Sequence, residues 1–110
     1  MTDDRRGHLR VHGPFDGLRV GAIETPVRIY DLSEGGCFIT SFHEAVTGRQ
    51  FTLKIDLPYE GWVSLKAVTL YEKPGFGFAV RFTGMNDDVR ARLGRALEKL
   101  RTRAPHEGEE

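Results

Sequence analysis

The chain has a single cysteine, Cys37, in 110 residues, so neither an intramolecular disulfide nor a cysteine-based metal cluster can form. That usage points to a reducing cytoplasm. Net charge is missing too, because 16 basic side chains offset 16 acidic ones. Without a global positive field the chain lacks what non-specific DNA or RNA binding depends on, so any anion site has to be local. Long apolar runs are absent: residues 1–10 carry no hydrophobic leader segment, and nowhere do about 18 apolar residues follow one another. Secretion by a leader and membrane insertion are therefore not expected. His8, His12, His43 and His106 have no spacing that would gather a metal site. No phosphate-cradling Walker-type loop, paired metal-binding carboxylates or Ser-His-Asp set is visible. No cofactor is expected, and the chain is not read as an enzyme.

What is present suits one domain with one modest core. From Phe15 to Phe82, short apolar or alternating runs are separated by glycine, proline and acidic turn residues, the pattern of an all-β fold. Six strands are predicted, at Phe15–Gly21, Thr25–Asp31, Cys37–Thr40, Gln50–Asp56, Gly61–Tyr71 and Phe76–Phe82. Leu53, Ile55 and Leu57 alternate with Lys54 and Asp56, and Val63, Leu65 and Ala67 repeat the alternation, so each strand buries one face. Pro58-Tyr59-Glu60-Gly61 and Lys73-Pro74-Gly75 carry turn chemistry and predict hairpins. Closing such a sheet removes its sticky edges, which favours an antiparallel six-stranded barrel over a sandwich. After Met85 the period changes: Val89, Leu93, Ala96, Leu97 and Leu100 form one helical stripe, with Asn86 as N-cap and Asp87 and Asp88 in the first turn. The expected organisation is a flexible arginine-rich arm over 1–12, barrel and helix over 13–103, and a disordered acidic tail over 104–110.

Two polar clusters stand out. Arg5-Arg6-Gly7-His8-Leu9-Arg10 places three guanidinium forks on a segment too polar for the core. Each fork can grip phosphate oxygens, or O6 and N7 of guanine, in bidentate fashion, and can stack on a purine. Asp31-Leu32-Ser33-Glu34-Gly35-Gly36 lies between two predicted strands as a tight polar loop. Asp31 and Ser33 can hydrogen-bond to guanine or to the loop itself, and Gly35 and Gly36 let a ligand approach the main chain.

Together the clusters resemble the signature of the PilZ family, RxxxR followed by (D/N)xSxxG. Arg6 and Arg10 fill the first motif, and Asp31, Ser33 and Gly36 fill the second. Element order matches as well: arm, six strands, a glycine-rich penultimate run ending Gly77-Phe78-Ala79-Val80-Arg81-Phe82, then a helix. The resemblance implies a cytoplasmic receptor for the bacterial second messenger cyclic di-GMP, with Arg6 and Arg10 on phosphates and guanine edges and the Asp31-Ser33-Gly36 corner around the other guanine. Arg5, just before the first motif, implies by the same resemblance an intercalated dimer of the ligand. Gly7 departs towards a looser arm. Arg81 is placed at the barrel mouth, to reach the ligand or to pair with a carboxylate. Closing the arm on ligand would create a surface for a downstream protein that the sequence does not identify; motility and biofilm formation are compatible settings. Alternatives are a barrel of the same family that works through protein contacts alone, and an OB-like barrel for single-stranded nucleic acid, which needs a basic groove with exposed aromatics. Cys37 reads as a small buried hydrophobe, and Trp62, Tyr71 and Phe76 read as packing residues.

Overall fold

Apolar alternation becomes six antiparallel strands: β1 (Phe15–Val20), β2 (Glu24–Tyr30), β3 (Gly36–Thr40), β4 (Gln50–Leu57), β5 (Gly61–Lys73) and β6 (Gly77–Gly84), followed by one helix, α1 (Asp87–Glu109). The structure is a computed structural model that describes residues 10–41 and 46–109, with side chains described as far as Arg101. The strands close into a barrel in the order β1-β2-β3-β6-β5-β4, with β4 returning to pair with β1. Each strand therefore has a partner on both sides, as the edge argument requires.

Inward residues fill the barrel. Ile29, Ile39, Leu53 and Ile55 are fully buried, and Phe78 almost so. At one end Arg19 lies over the rings of Phe51 and Phe78, 5.5 and 5.4 Å from their centroids. At the other end, where the β2–β3 connection and the β4–β5 turn lie, α1 lays Val89, Leu93, Ala96 and Leu97 into the same core. The Asn86 side chain accepts the Val89 N–H at 2.8 Å, making it the N-cap its residue type suggested. Polar ties fix one flank of the helix to the β4–β5 turn. Arg95 forks onto the Glu60 carboxylate at 3.1 and 3.0 Å, and Arg92 donates to the carbonyls of Glu60 and Trp62. The Arg95 guanidinium holds the Glu60 carboxyl below its ordinary range.

Two expectations are corrected. The helix spans Asp87–Glu109, past the expected boundary at Arg103. Among the described side chains of the helix, Val89, Leu93, Ala96 and Leu97 are the buried ones, so the apolar stripe locates the start and middle of the helix and not its end. Trp62, Tyr71 and Phe76 are not packing residues, being 48%, 56% and 68% exposed. Trp62 precedes the inward series Val63, Leu65, Ala67 and so faces out. A bulge at Leu70 resets the β5–β6 register, with Thr69 opposite Val80 and Tyr71 opposite Ala79, and this turns Tyr71 to the outer face. Cys37 is buried as expected, and burial together with the nearby Asp31 charge pushes its thiol well above the ordinary range.

Candidate functional site

The two polar clusters are joined by a short piece of sheet outside the barrel strands. Val11 and Leu32 exchange both backbone hydrogen bonds at 2.9 Å in an isolated antiparallel bridge, and the Asp31 N–H donates to the His12 carbonyl at 3.2 Å. Val11 and Leu32 are both buried, so their side chains act as pins beneath this crossing. An antiparallel register sets neighbours in reverse order, which puts Arg10 opposite Ser33 and His12 opposite Asp31. The second arginine of the first motif thus stands over the loop of the second. Arg5 and Arg6 lie outside the described residues.

Within the loop the residues divide the work. The Ser33 side chain is 5% exposed, and its hydroxyl accepts the N–H groups of Gly35 and Gly36 and donates to the Gly36 carbonyl, each at 3.2 Å. One donor and two acceptor sites are then occupied, so Ser33 shapes the loop and has no further bond to offer. Asp31 takes the left-handed conformation, φ 52°, and leaves its carboxylate half exposed, with His12 Nδ1 3.6 Å away as its ion-pair neighbour. Gly36 is dictated by packing: a Cβ there would lie 2.2 Å from the Val80 carbonyl oxygen. Gly35 is not, since a Cβ at that position would meet nothing within 4 Å. Its carbonyl accepts the Phe82 N–H at 2.8 Å, which ties the loop to the end of β6.

Strand registers extend the site over the outside of the barrel. Gly36 pairs with Arg81, which is exposed and faces outward between the inward Val80 and the half-buried Phe82. Two residues along, Tyr30, Phe38, Ala79 and Tyr71 stand opposite one another in a continuous row across four strands. Their inward neighbours Ile29, Cys37 and Val80 are buried, so this row looks outward as a ledge carrying three aromatic rings beside Arg81 and the loop. The sequence reading missed the ledge. Alternation in β2 and β3 identifies the outward positions of Tyr30 and Phe38, but only the non-sequential β3–β6 pairing brings them beside Tyr71. A separate groove of about 870 Å³ lies on the outer face, between Trp62 and Phe76 and over Leu18, Pro26, Arg28 and Thr40; its lining includes none of the motif residues.

A closed antiparallel barrel, one end covered by a helix and a polar loop at its rim pinned to an arginine-bearing leader, defines a small barrel module whose candidate site lies outside the sheet. Residues 4–99 match the family model for the PilZ domain, and the chain belongs to that family. No curated protein matches it. Among solved structures it is similar to YcgR from Escherichia coli in complex with c-di-GMP, at 21% identity and a TM-score of 0.75, over 96% of this chain and 50% of that one. The PilZ domain of the same protein with c-di-GMP aligns at 18% identity and 0.71, over 96% of this chain and 98% of that domain. The inhibitor of motility MotI/DgrA from Bacillus subtilis aligns at 18% and 0.73, over 91% of this chain and 53% of that one. The chain thus spans about half the length of YcgR and MotI. Among the described residues, no helix is long and apolar enough to cross a membrane.

Proposed function

We propose that this chain is a receptor for cyclic di-GMP, which it binds on the outside of the barrel between Arg10 and the Asp31–Gly36 loop. The observation that carries the reading is the Val11–Leu32 bridge, which holds Arg10 over Ser33 at the same rim where the Asp31 carboxylate and the Gly35 backbone are open. A cyclic dinucleotide needs cationic forks for its phosphates, an acceptor for the guanine N–H groups and flat surfaces for its purines. Arg10 and Arg81 supply the first, Asp31 the second, and the Tyr30–Phe38–Tyr71 ledge the third. Ser33 and Gly36 act by shaping the loop. Two structures with this fold carry c-di-GMP, which favours this ligand over an oligonucleotide.

Arg5 and Arg6 complete the grip in this reading, and Arg5 favours an intercalated ligand dimer. Fixing leader residues costs about 1–2 kcal/mol each, and a charge-assisted hydrogen bond returns about 1.5–3 kcal/mol. The Val11–Leu32 bridge fixes the backbone next to Arg10 without ligand, which lowers that cost. Several bidentate contacts with stacking then reach the ~8 kcal/mol of a micromolar complex. The closed leader and ligand present a new surface to a partner protein, and signalling proceeds by that contact without chemistry.

Calorimetric titration with c-di-GMP, repeated with Arg10→Ala and Asp31→Ala, tests the proposal. The parent protein is expected to bind at micromolar or tighter affinity and each variant at least ~10-fold more weakly. A parent protein that gives no heat and no shift in melting temperature with ligand sinks it and leaves the protein-contact adaptor in its place.

A further inference from the structure

The helix α1 is held between two supports on opposite flanks. At 100° per residue, Arg92 and Arg95 fall on one side of the buried Leu93–Leu97 stripe and Gly94 on the other. The first flank is tied to the β4–β5 turn through Glu60 and the Trp62 carbonyl. The second meets the motif loop: a methyl on Gly94 would lie 4.0 Å from the Glu34 carboxylate. The Glu34 carboxylate thus lies beside the helix at Gly94, at a distance a side chain there would meet as ordinary van der Waals contact. The same loop reaches the helix by two further routes. Leu32, wholly buried, shares the core with Val89, Leu93, Ala96 and Leu97. The Gly35 carbonyl holds Phe82 at the end of β6, four residues before the Asn86 cap.

We infer that α1 is the output element of the receptor, sensing occupancy of the Asp31–Gly36 loop through the approach of Glu34 to the helix at Gly94 and through the Leu32 anchor. This inference rests on the ligand-binding reading above. A ligand that pairs with Asp31 and closes on Gly35 holds the loop in one conformation. Because the loop forms one wall of the helix's seat, fixing it also fixes α1 against the Glu60 support. Reciprocity follows: whatever steadies the helix in that seat favours ligand binding by the same factor.

Hydrogen exchange of the α1 amides from Val89 to Leu100, with and without c-di-GMP, tests the relay in the parent protein and in Glu34→Ala. Glu34 is exposed, so the variant should fold; because it belongs to the binding loop, the variant's own affinity is measured by calorimetry and exchange is compared at saturating c-di-GMP. Ligand is expected to slow exchange in the parent helix roughly five-fold or more, and Glu34→Ala, saturated with ligand, is expected to lose most of that slowing. Ligand binding by calorimetry with unaltered α1 exchange overturns the relay and leaves the receptor reading intact. Full slowing in Glu34→Ala overturns the Glu34 route. Absence of ligand heat overturns both proposals together.

Discussion

Gly35 and Gly36 are adjacent and belong to one motif, yet adding a methyl to each should have opposite consequences. At Gly36 the new Cβ would lie 2.2 Å from the Val80 carbonyl oxygen and 3.3 Å from the Arg81 Cα. Both are backbone atoms of the neighbouring strand, so relief requires β3 to part from β6 by about 1 Å to restore a contact near 3.4 Å. Such a movement strains the Phe82 N–H bond to the Gly35 carbonyl, now 2.8 Å, and the β3–β6 ladder on either side of the Gly36–Arg81 pair. Losing two or three buried hydrogen bonds, at about 1 kcal/mol each with some polar groups left unpaired, gives a destabilisation of about 2–4 kcal/mol for Gly36→Ala. For a domain of this size that lowers the melting temperature by roughly 10–25 °C. Gly35→Ala meets nothing and should melt within about 0.5 kcal/mol of the parent, while its methyl obstructs the ligand and weakens c-di-GMP binding by ~10-fold or more. Thermal unfolding by circular dichroism, paired with ligand titration, reads both effects. A Gly36→Ala protein that melts with the parent would refute the close-approach argument.

Other expectations follow from the same geometry. Ser33→Ala removes a hydroxyl that makes three loop hydrogen bonds and should cost about 1–3 kcal/mol in chemical denaturation. Glu60→Gln should flatten the acid limb of the stability profile. The Glu60 carboxyl titrates below its ordinary 4.5 in the folded chain, so its contribution is present above that pH and lost as pH falls through the depressed value. Urea unfolding of parent and variant at several pH values below 5 checks the sign, and equal slopes would count against the Arg95 pairing. Cys37, buried with its thiol pushed up, should resist a thiol reagent in the native protein and react at the rate of unfolding.

Most of the fold was legible because strands with one buried face announce themselves by alternation. Leu53-Lys54-Ile55-Asp56-Leu57 reads as a strand from its sequence, and in the structure Leu53, Ile55 and Leu57 are buried while Lys54 and Asp56 are not. The motif residues were legible from their types and spacing, but their separate tasks were not. Ser33 and Gly36 look like ligand contacts in the sequence; three hydrogen bonds and a backbone contact give them a structural task. Pairings between distant strands were also out of reach. The outward turn of Tyr71 depends on a bulge at Leu70, and its place beside Phe38 depends on β6 inserting between β3 and β5. Alternation along a single strand records neither. The Val11–Leu32 bridge escaped notice because a lone pair of residues has no periodicity, though it decides where Arg10 stands.

Backbone amide NMR shifts recorded while c-di-GMP is added test the location of the site most directly. The account predicts the largest changes at Arg10, Asp31, Gly35, Gly36, Ala79 and Arg81, with little change around the groove between Trp62 and Phe76. Changes centred on that groove, or spread evenly over the barrel, would contradict it.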